Sequence, residues 1–303
     1  MDNESDLEDL RSRIDATDDQ ILSLISERAR LAAEIARLKR GNDQVETVFY
    51  RPEREAQVLR DIIRKNKGPL ADEEMARLFR EIMSACLALE QGLHVAFLGP
   101  EGTFTQSAAL KHFGHSVKTN AQASIAEVFR EVESGACHYG VVPVENSIEG
   151  AINHTLDLLI NSSLKICGEV HLRIHQNLMS KAENLQNVKH VYSHQQSLAQ
   201  CRSWLDNNLA GVERVAVSSN AEAAKCAQDN ADVAAIAGDI AAECYRLPIL
   251  ASNIEDEADN TTRFLVLGQK NARASGNDKT SILFATANEA GALHKVLACF
   301  EDN

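Results

Sequence analysis

From Leu7 to Leu38 apolar residues recur every three or four positions, and neither proline nor glycine falls among them. The set Leu7, Leu10, Ile14, Ile21, Leu24, Ile25, Leu31, Ile35 and Leu38, with one lapse around Thr17, has helical spacing. It predicts one amphipathic helix of about 30 residues that Gly41-Asn42 would end. So long an apolar stripe needs another surface to cover it. A second helix is expected from Pro52 to about Lys67, before Gly68-Pro69, and a third from Ala71-Asp72 to about Gln91-Gly92. Residues 1–92 therefore read as an all-α module.

At Leu93 the period changes. His94 to Leu98 is a short apolar run ended by Gly99-Pro100, the pattern of a strand running into a loop. Similar runs follow at Tyr139 to Val144, Leu164 to Cys167, Val188 to Tyr192, Val212 to Val217, Val233 to Ala237 and Phe264 to Leu267, with helical stretches between them. The alternation predicts an α/β domain over 93–270 with a largely parallel sheet. A polar linker, 271–279, separates it from a strand at Thr280 to Ala287 and a helix at Ala292 to Phe300. One strand and one helix bury no core, so 280–303 is expected to be the opening of a third domain.

Charge narrows the function. With 44 acidic against 31 basic residues the net charge is -13, a field that repels nucleic acid and anionic membrane. No apolar run has the length of a membrane span and the polar N-terminus is not of signal type, so a cytoplasmic protein is expected. Seven scattered cysteines without a CxxC pair fit reduced thiols. His171 and His175 are too few for a metal site, and the Gly99/Gly102 spacing is too short for a phosphate loop. An anionic small molecule remains, provided that basic residues cluster locally.

They do so along the first helix. Arg28 and Lys39, eleven residues apart, point within about 20° of each other, whereas Arg11 lies about 100° round from Arg28 and would serve a partner subunit. In the α/β domain, three polar loops (Gly99 to Thr105, Pro143 to Ser147, Asn260 to Phe264) and Ser218-Ser219-Asn220 lie where strand ends meet, several of them before helices whose free N–H groups attract carboxylates.

Residues 7–91 resemble the all-helical chorismate mutases through Leu10-Arg11 with Ile14, Glu27-Arg28, Lys39, the Arg-Pro-Glu-Arg-Glu run from Arg51, and Arg77-Leu78-Phe79. The resemblance implies an intertwined homodimer that converts chorismate to prephenate by holding the reactive conformer and stabilising charge on the ether oxygen. It implies Arg11 and Arg28 on the carboxylates, Lys39 on the ether oxygen, and Arg51, Arg54 and Glu55 orienting the substrate. Cys86 stands where relatives have Ser. Glu90 stands where some carry Gln, so it would have to be protonated to donate.

Residues 93–269 resemble prephenate dehydratases through Gly-Pro-Glu-Gly-Thr-Phe from Gly99, Pro-Val-Glu-Asn-Ser from Pro143, and Thr262-Arg263-Phe264. That resemblance implies two α/β lobes like those of periplasmic binding proteins, with the site in the cleft; the chain would cross near His171 and return near Ala251. It implies decarboxylation and dehydration of prephenate to phenylpyruvate, with Thr262 donating to the departing hydroxyl and Glu145 supplying its proton or orienting it. Thr103, Asn146, Ser147, Gln200, Cys201, Ser219 and Arg263 would complete the pocket. The segment from Thr280 resembles the start of an α+β ACT regulatory domain, whose Gly291-Ala292-Leu293 turn would contribute to a phenylalanine site. The combination implies a fused enzyme of phenylalanine biosynthesis without metal or organic cofactor. Arogenate instead of prephenate, or a non-catalytic ligand-binding protein with a helical dimerisation module, are the alternatives.

Overall fold

A computed structural model of the chain describes residues 2–40 and 50–301. It divides into two units, 1–273 and 274–303. The helical module comprises α1 (Asp2–Arg40), α2 (Pro52–Lys65) and α3 (Asp72–Glu90). Pro52 opens α2, with Glu53 and Glu55 in its first turn and Arg64 and Lys65 in its last, charges that complement the helix dipole. Only the C-terminal half of α1 packs, through the small side chains of Ala32 and Ala36, and it packs chiefly on α3. The rest stands exposed, with Leu22 and Leu24 about two-thirds accessible (66% and 65%). The expected helix end at Gly41-Asn42 lies outside the described residues. No described helix is long and apolar enough to cross a membrane.

The α/β part follows with β1 (His94–Leu98), α4 (Phe104–Phe113), β2 (Lys118–Gln122), α5 (Ile125–Glu133), β3 (Tyr139–Asn146), β4 (Gly150–Ala151), α6 (Asn153–Asn161) and β5 (Lys165–Arg173). The chain then builds a second sheet from β6 (Asn177–Ser180), β7 (His190–His194), α7 (Gln195–Gln200), α8 (Arg202–Asn208), β8 (Glu213–Val217), α9 (Asn220–Asp229), β9 (Val233–Ala237), α10 (Asp239–Tyr245) and β10 (Ile249–Ala251). It returns to the first sheet as β11 (Thr261–Gly268).

The first sheet has the order β2-β1-β3-β11-β5, and the second β10-β6-β9-β7-β8. Neither is largely parallel as the sequence predicts. β2-β1-β3 and β8-β7-β9 are parallel, but β11 runs antiparallel to both β3 and β5, and β6 antiparallel to β9 and β10. The reason is topological: β11 and β6 enter their sheets from the other lobe, without the helical crossover that a parallel neighbour requires. β5 still belongs to the first sheet through Arg173, so the crossing falls at 174–176, a few residues beyond the expected His171. Each sheet separates two apolar layers; on β11, Phe264 and Val266 face one layer while Leu265 and Leu267 face the other.

Two backbone bonds stitch the crossings together, Ile174 N to Asn260 O (2.8 Å) and Ile254 N to Gln176 O (2.8 Å). The buried Glu255 carboxylate accepts from Gln176 N and bonds His175 Nδ1, both at 2.9 Å. The helical module docks on the first lobe: Glu81 pairs with His115 (2.8 Å), Gln91 meets His138 (2.9 Å), and Ser84 Oγ accepts from Ser116 N (3.3 Å). In the unit 274–303, α11 (Ala292–Glu301) forms as predicted after Gly291, whose φ is +83°. The strand expected over 280–287 does not form: among the described residues none pairs with it, and a strand without a ladder leaves its backbone to water.

Candidate active sites

In the helical module, α1 and α3 bring Lys39 within 4.0 Å of Glu90, both side chains more than two-thirds buried. Cys86, buried, lies one turn before Glu90 on the same face of α3. Arg28 is half-buried on α1, ~16 Å along the axis from Lys39, a span that two long basic side chains and a ligand between them can fill. Arg11 stands ~26 Å from Arg28 on the same helix, out of reach of any site that Arg28 shares within one chain. Arg51 caps α2 and Arg54 lies in its first turn, both exposed.

Glu55 points elsewhere than the resemblance implies. Its carboxyl lies 3.6 Å from Arg80 of α3 and bonds the Tyr50 hydroxyl, and burial raises its pKa to about 7 against the pull of Arg80. Tyr50 in turn meets His112 of α4 (3.3 Å), whose pKa burial lowers to about 4. Glu55 thus belongs to a network at the junction with the first lobe rather than to the Lys39/Glu90 pair.

Between the lobes lies a cavity of about 350 Å³ to which Thr103, Asn146, Thr262, Gln176, Ser197, Gln200, Ser219 and Asn220 contribute. Thr262 sits on the Phe264 face of β11 and is 9% exposed. Its neighbour in the ladder is Asn146, whose Nδ2 donates to Thr262 Oγ1 (2.8 Å) and to Asn260 Oδ1 (2.9 Å). The orientation of that amide is set at its other end, where Oδ1 accepts from the N–H groups of Ile148 and Glu149. Thr262 Oγ1 is therefore an acceptor toward Asn146, and its own proton is left to donate into the cavity.

Two ten-residue helices, α4 of the first lobe and α9 of the second, present their first turns to the same cavity. Thr103 caps α4 by accepting from Gln106 N while donating to Leu98 O, and Ser219 caps α9 by accepting from Glu222 N. One N-terminus per lobe suits a ligand with two carboxylates.

Four expected residues are not brought to this cavity. Glu145 and Arg263 are cross-strand neighbours one position from Asn146 and Thr262, so alternation turns them to the opposite face of the sheet. There Arg263 Nε donates to Glu169 (2.8 Å) and its guanidinium pairs with Glu145 (3.4 Å), so Glu145 neither supplies nor orients the Thr262 proton. Ser147 ties β3 to β11, accepting from Thr261 N and donating its own N–H to Thr261 O. Cys201, one helical step past Gln200, turns into the second-lobe core at 0% exposure, and burial pushes its thiol up to about 12. The cavity also gathers Gln176, Ser197, Asn220 and Asn260; Asn260 and Asn220 fall within the polar loops of the sequence, but nothing in the periodicity marks Gln176 as a crossing residue.

Comparison with known proteins accords with this division. Residues 10–91 match the chorismate mutase type II family and residues 95–272 the prephenate dehydratase family. A bifunctional chorismate mutase/prephenate dehydratase of Stutzerimonas stutzeri is 58% identical over 100% of this chain and 84% of its own length, and one of Pseudomonas aeruginosa is 56% identical with the same coverage. The crystal structure of a prephenate dehydratase from Arthrobacter aurescens, solved in complex with L-Phe, superposes with a TM-score of 0.60 at 28% identity, over 69% of this chain and 72% of that one. The chain belongs to the bifunctional chorismate mutase/prephenate dehydratases, enzymes of phenylalanine biosynthesis that rearrange chorismate to prephenate and then decarboxylate and dehydrate prephenate to phenylpyruvate.

Proposed function

We propose that the two reactions occupy separate places, the mutase step at the α1–α3 groove around Lys39 and Glu90 and the dehydratase step in the interlobe cavity with Thr262 as donor. The observation that supports the second assignment is the Asn146 bond to Thr262 Oγ1, which commits that oxygen as an acceptor and leaves its proton to donate into the cavity. In the reaction the bond to the ring carboxylate breaks, its electron pair enters the ring, and the hydroxyl on the opposite carbon leaves. One proton must reach the departing oxygen to make water. The Thr262 hydroxyl is too weak an acid to give that proton outright, so it donates a hydrogen bond or relays a solvent proton. The helix N-termini of α4 and α9 hold the two carboxylates.

In the mutase step no proton moves. Lys39 and a protonated Glu90 stabilise the ether oxygen, Arg28 binds a carboxylate, and Arg11 comes from the partner of a homodimer, whose α1 covers the exposed stripe of its mate. Arg51 and Arg54 guard the approach. In the C-terminal unit, Gly291, Ala292 and Leu293 form part of a phenylalanine site, and the enzyme works in the cytoplasm. Thr262→Val tests the division: phenylpyruvate formation is expected to fall ~100-fold or more while chorismate still disappears at the parental rate. Equal loss of both activities would refute separate sites.

A further inference from the structure

Among the described residues, buried side-chain polar atoms without a hydrogen-bond partner are Arg80 Nε and Gln176 Oε1. Gln176 is 1% exposed and lines the interlobe cavity. Its Nε2 donates to Ser197 Oγ (3.1 Å) and Gln200 Oε1 (3.4 Å), which leaves Oε1 as the unpaired end of the amide. Ser197 Oγ also accepts from Asn220 Nδ2 (2.9 Å), and Asn220 is itself fixed by Oδ1 accepting from Ser193 Oγ and His194 N. The second lobe thus holds one buried, unpaired carbonyl oxygen on a residue that lines the interlobe cavity. A buried acceptor in this state destabilises the unliganded protein, and a ligand proton relieves the cost.

The chemistry of the substrate says which proton. At neutral pH prephenate carries two carboxylates and a ketone, which only accept, and its ring hydroxyl holds the sole proton it can donate. We propose that Gln176 Oε1 accepts the hydrogen bond of that ring hydroxyl and so turns the oxygen's lone pair toward the Thr262 proton. The leaving group is then gripped from both lobes: its proton by the second, its lone pair by the first. An acceptor on the hydroxyl proton also makes the oxygen a better acceptor, which strengthens the bond from Thr262 as the carbon–oxygen bond stretches. The water formed keeps one proton on Gln176.

This inference rests on the cleft being the dehydratase site, and the test separates the two. The probes are a saturated-ring analogue of prephenate, which cannot aromatise, and its counterpart lacking the ring hydroxyl, each used as an inhibitor of phenylpyruvate formation by the full chain. The parent enzyme is expected to prefer the hydroxylated analogue about ten-fold, and Gln176→Met to prefer it less than about two-fold. Inhibition of the variant at parental strength by the analogue lacking the hydroxyl reports that its cleft is folded. An undiminished preference in Gln176→Met would overturn the assignment, and failure of either analogue to compete with prephenate would overturn the cleft reading with it. Should the variant not fold, a crystal structure of the parent with the hydroxylated analogue decides: an oxygen within ~3.2 Å of Gln176 Oε1 supports the proposal, and one beyond ~4 Å refutes it.

Discussion

Under the proposed assignment, Thr262 owes its role as donor to a neighbour that never changes charge. Because Asn146 presents Nδ2 to Oγ1, the near-isosteric Asn146→Asp reverses the bond: the new carboxylate accepts the Thr262 proton and sets a negative charge beside a dianion. That variant is expected to lose ~100-fold or more in dehydratase kcat/KM, measured as phenylpyruvate formation, with the mutase step intact. Glu55 and His112 make an opposed pair. Burial raises Glu55 from 4.5 to about 7, so its contribution to stability is present below pH 4.5 and lost as pH rises to 7. Burial lowers His112 from 6.5 to about 4, so its contribution is present above pH 6.5 and lost as pH falls to 4. The two slopes oppose each other through the same window. Glu55→Gln should remove one and expose the other, giving a thermal midpoint that rises steadily from pH 4 to 6.5 where the parent's is flatter.

At the scale of elements, α1 is a helix with half its length unpacked. Its apolar residues stand clear of the chain's own core, and Arg11 is displaced ~26 Å along the axis from Arg28. If the partner's α1 fills the gap, Arg11→Ala and Arg28→Ala each abolish the mutase, yet mixed and re-equilibrated they form heterodimers with one intact site. Recovery of roughly a quarter of parental activity on mixing is the expected result, and no recovery would place both arginines in one chain's site. Glu90 carries a further prediction at the α1–α3 groove. If Glu90 donates to the ether oxygen as proposed, which requires its proton, Glu90→Gln should hold mutase activity to higher pH than the parent, read from rate profiles across the neutral range.

At the scale of the molecule, the helical module is joined to the first lobe through a tight contact. Gly114 has φ +77°, and a Cβ there would fall 2.5 Å from Cβ of Ser84 on α3. Gly114→Ala is expected to cost ~2 kcal/mol or more in thermal or denaturant unfolding, from backbone strain and the clash together. Much of this architecture was legible in the residues. Apolar spacing and the Pro52 start gave the three helices, and the strand runs gave most of both sheets, because local period reports local structure. What escaped depends on the partner across a ladder. Lys118–Gln122 is too polar to read as a strand and is held by pairing with β1, and the antiparallel insertion of β11 follows from a long-range return. The same limit divides the site: motif order placed Thr262 and Asn146 together, but alternation sends Arg263 and Glu145, from the same motifs, to the far face. Cys201 and Gln200 separate likewise by one helical step.

The paired crossings between the lobes have a mechanical consequence. A single strand would let the second lobe swing and swivel, whereas two strands stitched by Ile174–Asn260 and Ile254–Gln176, and clamped by Glu255, leave essentially one axis of bending. Gln176 sits at that axis and Thr262 follows the other strand out of it. A bending of the lobes would therefore trace one arc and return Gln176 and Thr262 to the same separation without a search. Loosening the clamp, as in Glu255→Ala, would spend turnovers in misaligned closures and appear as a lower kcat with KM little changed.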